Sequence, residues 1–238
     1  MVAAAPTILA TSMGFHRGGR RWTPGPVFDL AFTLAAAGER PRLCFVATAG
    51  GDQPVSISGF YGAFAGTGVR ASHLALFDMP NVDDVRGHLL AQDVIWVDRG
   101  SLVNLLAVWR AHRVDEVLRE CWQAGIVLGG ESAGSLCWHA GGTTDSFGPA
   151  LTPAAGLGLL PYANAVHYGE RRKSFRAALG AGGVPAVGYA TDAGAGLYYQ
   201  GAELVEAVAD RANARAYRVE RHPDGSVTEE TIEVRRLR

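Results

Sequence analysis

Short apolar runs alternate along the chain with longer segments in which apolar residues recur at helical spacing. "TILAT" (7–11) precedes a helix-patterned Val27–Ala37, "RLCFVAT" precedes Ser56–Ala65, "ASHLALF" precedes Val82–Ala91, and "DVIWVD" precedes Leu102–Trp109. The short runs read as buried strands. Strands alternating with helices imply right-handed β-α-β units on a mostly parallel sheet with flanking helices, an α/β fold. Another helix is predicted over Val114–Gln123, then a strand "GIVLGG", then an apolar helix-like segment reaching His139. Beyond it the pattern gives a loop over Gly141–Pro161, a strand-like run "YANAV" ahead of His167, a helix over Arg172–Leu179 and a strand "AVGYAT". The C-terminal segment reads as a short β-rich tail in which "HPDGS" signals a hairpin. No repeat or low-complexity linker interrupts residues 1–238, so a single domain is expected.

Composition narrows the function. In 238 residues, 48% apolar, 22 basic side chains face 23 acidic ones for a formal charge of -1, which leaves no electrostatic footprint for nucleic acid or an anionic membrane. Small, roughly neutral substrates are the expected partners. Cys44, Cys121 and Cys137 form neither a C-x-x-C nor a Cys/His spacing, so neither a disulfide framework nor a zinc site is expected and a reduced, cytoplasmic protein is. The start lacks a basic region, and no apolar run approaches the ~18 residues of a membrane span, so neither a signal peptide nor an anchor is expected. The glycines of "ATAGGDQP" and "VDRGS" fall at carboxyl ends of strands, where open α/β sheets bind ligands.

The chemistry concentrates in "GGESAGSLCW". Gly130-Glu131-Ser132-Ala133-Gly134 matches G-x-S-x-G directly after a predicted strand and before a predicted helix, the setting of a nucleophile elbow. There a strained backbone holds the serine hydroxyl out at the top of the sheet. The amide of Ala133 would point at a developing oxyanion. The alternative is a serine that merely caps the helix. A nucleophilic serine needs a base, and seven histidines are available. His139 lies two turns down the same predicted helix, too far along the axis to take the serine's proton. His73, His88 and His112 sit among charged residues, and His16 and His222 flank turns. His167, ending "YANAV" and preceding Gly169, stands at a strand end facing the loops. An imidazole base is oriented by a carboxylate, for which Asp192 and Asp145 compete.

These residues resemble the peptidase E family of serine peptidases, the group typified by aspartyl dipeptidases and related to cyanophycinases. The likeness rests on "GGESAGSLCW", "TTDSFG", "AVHYGERR" and "AVGYATDAGAG", in that order, and covers most of Pro41–Tyr199. It implies a class I glutamine amidotransferase-like (flavodoxin-like) fold and a triad in the chain order Ser132, His167, Asp192. It also implies hydrolysis of short peptides through an acyl-enzyme on Ser132. Aspartates and histidines occur without an H-E-x-x-H or a clustered ligand spacing, so neither a metal nor another cofactor is expected. Asp192 departs from the glutamate of the best-known aspartyl dipeptidases. A second departure is "DRGS" at Asp98–Ser101 in place of a G-G-G-N segment, which leaves Gly100 as the second oxyanion donor beside Ala133. Arg172 or Arg171 is the expected clamp for a substrate carboxylate, with Asp145 nearby. Two other readings stay open: an α/β-hydrolase-type esterase using Ser132, Asp192 and His222, and a catalytically silent member that binds a peptide or metabolite. A homodimer is left open.

Overall fold

The computed structural model describes residues 3, 5–18 and 21–238. β1 (Thr7–Thr11) is buried along its whole length. After it comes a small hairpin, β2 (Phe15–His16) and β3 (Thr23–Pro24), which the apolar pattern does not predict. The predicted alternation then follows as α1 (Val27–Leu34), β4 (Arg42–Val46), α2 (Pro54–Phe64), β5 (Arg70–Leu74), α3 (Val85–Leu90) and β6 (Val94–Val97). It continues through α4 (Leu102–His112), α5 (Val114–Gln123) and β7 (Val127–Glu131). Local chemistry sets several of these starts. Pro54 opens α2, where its missing N–H costs nothing. Asp84 and Ser101 cap α3 and α4 by accepting from the amides of Gly87 and Asn104.

β1, β7, β6, β4 and β5 pair in parallel in that order. Because side chains alternate along a strand, Leu43 and Phe45 enter one core and Cys44 and Val46 the other. The first of these cores is aromatic, with Phe45 stacked on Phe60 at 4.7 Å between centroids. Helices α3, α4 and α5 cover the second.

The structure departs from the pattern after Ser132. The predicted helix stops after one turn, α6 (Ala133–Leu136), and the predicted loop contains β8 (His139–Thr144) and β9 (Thr152–Ala155). Gly141 and Gly142 disfavour a helix here and permit close pairing: a Cβ on Gly142 would lie 2.4 Å from the Asn164 carbonyl oxygen. Next come β10 (Leu160–Val166), α7 (Tyr168–Gly180), β11 (Val187–Thr191), β12 (Ala195–Gln200) and β13 (Glu203–Ala209). The chain ends in β14 (Ala216–Arg221), β15 (Val227–Ile232) and β16 (Val234–Arg236). The "HPDGS" hairpin forms as predicted between β14 and β15.

The C-terminal strands do not form a separate tail. β12, β13 and β16 extend the first sheet beyond β1, while β14 and β15 extend a second sheet ordered β15-β14-β11-β10-β8-β9. The two sheets share a core: Leu160, Val166 and Ala216 of the second pack in one cluster with Ile8, Leu128 and Leu197 of the first. α7 covers the outer face of the second sheet with Tyr168, Phe175 and Leu179. Among the described residues no helix is long and apolar enough to cross a membrane.

Candidate active site

Ser132 forms the turn between β7 and α6 at φ 60°, ψ -108°, a backbone region that residues with a Cβ adopt only under constraint. Its side chain makes no hydrogen bond capping α6. The two glycines of the motif are required by close approach. A Cβ on Gly130 would lie 2.3 Å from the Gly134 carbonyl oxygen, and one on Gly134 would lie 2.2 Å from that of Val97. The turn therefore packs against β6 and β7 with no room for a larger residue. Ser132 stays partly accessible while its neighbours from Gly130 to Leu136 are buried. Ala133, the first residue of α6, has no intrahelical acceptor for its N–H.

His167 and Asp192 meet by register. β10 and β11 run parallel with Val166 opposite Thr191, so the next residue on each strand leaves the sheet side by side. His167 turns the chain into α7 at φ 52°, ψ 47°. The end of β1 ties both sheets together here. The Ser132 amide donates to the Thr11 carbonyl at 3.0 Å. The His167 amide donates to the Ser12 hydroxyl oxygen at 3.1 Å. That hydroxyl also lies 2.7 Å from the Thr191 hydroxyl, and the Ser12 carbonyl accepts from the Gly194 amide at 2.9 Å. Asp192 is held by the Arg215 amide and the Tyr217 hydroxyl, each 3.2 Å from Oδ2. Among the described residues, the His167 ring makes no direct hydrogen bond to Ser132 or Asp192. Such contacts are often long without substrate and tighten when it docks.

Burial, seconded by the Arg171 charge, holds the His167 pKa below the ordinary imidazole value of 6.5. Glu170 and Asp145 oppose that shift and Arg99 adds to it. The ring is thus biased toward its neutral, proton-accepting form. A cavity of about 560 Å³ opens beside it, bounded by His167, Gly169, Glu170 and Asp192 on one side and by residues 211–214 on the other.

Other expected residues fall differently. Arg171 donates to Asp145 at 2.9 Å, so each occupies the other. Arg172, expected to clamp substrate, is turned away: it pairs with Glu229 on β15 and lies 5.3 Å from the centre of the Tyr217 ring. Successive helical residues point about 100° apart, so Arg171 and Arg172 leave α7 in different directions. His222 hydrogen-bonds Thr228 in the β14–β15 hairpin at the opposite end of β11 from Asp192, so it cannot serve Ser132. His139 is on a strand rather than a helix; its Nδ1 lies 2.9 Å from the Ser135 carbonyl, and burial lowers its pKa to about 4. It is a core histidine. Burial also raises the Cys137 thiol well above its ordinary range. Gly100 packs on the 3-10 turn Thr48–Gly50, where a Cβ would lie 2.2 Å from the Ala49 carbonyl oxygen. Because Val97 lies opposite Gly130, Gly100 and Ser132 emerge from neighbouring strand ends.

Sequence reasoning missed a buried charge cluster. Arg17 binds the Asp98 carboxylate and, at 3.3 Å, that of Glu131, with its guanidinium 4.2 Å from the centre of the Trp22 ring. Burial raises the Glu131 pKa, Arg17 opposes this and Asp98 adds to it. The cluster pins the β2–β3 hairpin over the ends of β6 and β7, which accounts for an aspartate in "DRGS". Its signal in the sequence is two acids at the ends of otherwise apolar strands, which require a cationic partner once buried.

This architecture is the α/β fold of class I glutamine amidotransferase type seen in peptidase E structures. The model of peptidase family S51 matches residues 26–206, and the chain belongs to that family. It is 40% identical over 184 residues to the uncharacterized peptidase YgaJ of Bacillus subtilis (strain 168), spanning 76% of this chain and 79% of that protein. A protein assigned to peptidase E from Listeria monocytogenes EGD-e superposes with a TM-score of 0.58 at 16% identity, covering 85% of this chain and 98% of that one. A peptidase from an acI-B1 Actinobacterium gives a TM-score of 0.64 at 15% identity over 96% and 95% of the two chains. At such identity these two likenesses concern the fold alone.

Proposed function

We propose that the protein is a serine peptidase of short peptides in which Ser132 is the nucleophile at an elbow, His167 its base and Asp192 the acid that orients His167. The observation that carries this reading is the strained Ser132, tied to the end of β1 beside the residue that holds His167, with Asp192 on the adjoining strand end. Membership of a serine peptidase family supports it. The Ser132 hydroxyl loses its proton to His167 and adds to the peptide carbonyl. The oxyanion so formed is met by the N–H groups of Ala133 and Gly100. His167 then gives the proton to the departing amine, and water hydrolyses the acyl-enzyme by the same steps.

The test is hydrolysis of a panel of dipeptides and blocked peptides, Asp-X beside neutral X-X, by wild type and Ser132→Ala. Wild-type turnover that falls by about 10³-fold or more in the variant, with an unchanged circular dichroism spectrum, is the expected result. Turnover that survives the substitution overturns the assignment of Ser132. A protein that binds these peptides and hydrolyses none of them is instead a binding member of the family.

A further inference from the structure

We propose that the cavity beside His167 receives the leaving half of the substrate and that Arg211 binds its terminal carboxylate, so that the site selects short peptides with a free carboxyl end. The proposal rests on the reading of His167 as the base that serves Ser132.

The first support is positional. An imidazole that returns its proton to the departing amine must face that amine, so the chain beyond the scissile bond continues on the His167 side of the nucleophile. The cavity is bounded by His167 and Asp192, and neither Ser132 nor the expected oxyanion donors, Ala133 and Gly100, line it. Its volume of about 560 Å³ is within the range of small-molecule sites.

The second is charge. Arg17, Arg171, Arg172 and Arg176 are all held by carboxylates. Arg211 lines the cavity and makes no ion pair or side-chain hydrogen bond among the described residues. A guanidinium matches a carboxylate with two parallel donors. The same walls carry the acids Glu170 and Asp192, and a released amino acid bears a cationic amine as well as a carboxylate, so the lining complements both ends.

The third is construction. Gly194 stands at φ 92°, and a Cβ there would lie 2.7 Å from both Cγ and Cδ of Arg211. The arginine stem therefore rests on the Asp192–Gly194 turn, a seat that only glycine leaves open. The glycine two residues after the candidate acid thus also fixes where the cation lies.

Four substrates, Ala-Ala and Asp-Ala, each as free acid and as C-terminal amide, test the proposal with wild type and Arg211→Met. Wild type should favour each free acid over its amide by about 10- to 100-fold in kcat/KM, and Arg211→Met should bring that ratio to within about threefold. Wild type without the preference, or Arg211→Met that keeps it, overturns the proposal. If Arg211→Met instead erases a preference of Asp-Ala amide over Ala-Ala amide, Arg211 reads an acidic side chain and the proposal also fails. Calorimetric binding of the same four peptides to Ser132→Ala, with and without Arg211→Met, reports on the subsite without catalysis. Binding selectivity for the free acids that depends on Arg211, in a protein without turnover, would retain the subsite and reject the peptidase reading. Absence of that selectivity rejects the subsite whatever the turnover.

Discussion

Ser12 shows how much can depend on one hydroxyl that no motif marks. It accepts from the amide of His167, which stands in a left-handed conformation, and bonds the threonine that precedes Asp192. Ser12→Ala removes the partner of the half-buried His167 amide and of the buried Thr191 hydroxyl, for a stability loss of about 1–3 kcal/mol by denaturant titration. If Ser12 positions His167, kcat falls at least about tenfold with KM little changed, and Ser12→Thr restores part of it. Equal losses of stability and no change in kcat would reduce Ser12 to a structural bond. The pH profile tests His167 itself. Its pKa is held below 6.5 and its base form is the neutral ring, so kcat/KM should rise with pH through an acid limb whose midpoint lies below that value. Arg171→Met removes a cation that lowers this pKa and leaves Asp145, which raises it, so the limb should move to higher pH. A limb that stays in place would show that His167 is not the group titrating.

At the scale of elements, the turn from β7 into α6 and the start of α7 carry the geometry. Gly134→Ala drives a methyl to 2.2 Å from the Val97 carbonyl oxygen, which must push α6 off β6. The expected outcome is a loss of at least about 2 kcal/mol in stability together with most of the activity, measured by thermal unfolding and peptide turnover. α7 points Arg172 away from the cavity, so Arg172→Ala should leave the ratio of Asp-X to neutral dipeptide turnover unchanged. A collapse of that ratio would restore Arg172 as the clamp. The elements that the apolar pattern located are the periodic helices and the strands β1, β4, β5, β6 and β7. It misread His139–Ala155, because a glycine-rich strand beside a one-turn helix has too few residues to express either period.

At the scale of the whole molecule, Ser132 belongs to one sheet and His167 and Asp192 to the other, so their distance is set by the joint between sheets. That joint is a shared core together with Asn164, which accepts from the Ser135 hydroxyl and donates to the Tyr189 carbonyl. A shared core predicts one cooperative transition. Trp96 reports on the aromatic core of the first sheet, Trp109 and Trp138 on the core that the two sheets share, and far-ultraviolet circular dichroism on both sheets. Thermal unfolding followed by fluorescence and by dichroism should coincide. Separated midpoints would mean that the two sheets unfold independently and that the site is lost before the fold.

The local code of the chain was enough for the alternating α/β order and the G-x-S-x-G turn, and it put His167 and Asp192 forward as candidate partners of Ser132, because each depends on periodicity, on turn chemistry or on resemblance of short blocks. Tertiary structure alone decided that Arg172 pairs with Glu229, that Arg17 reaches Asp98 and Glu131, that Ser12 bonds His167, and that Arg211 is left facing a cavity. Each of these joins residues dozens of positions or more apart, or follows from the azimuth of a single side chain. No local pattern encodes either, since both are set by how two sheets pack around one core.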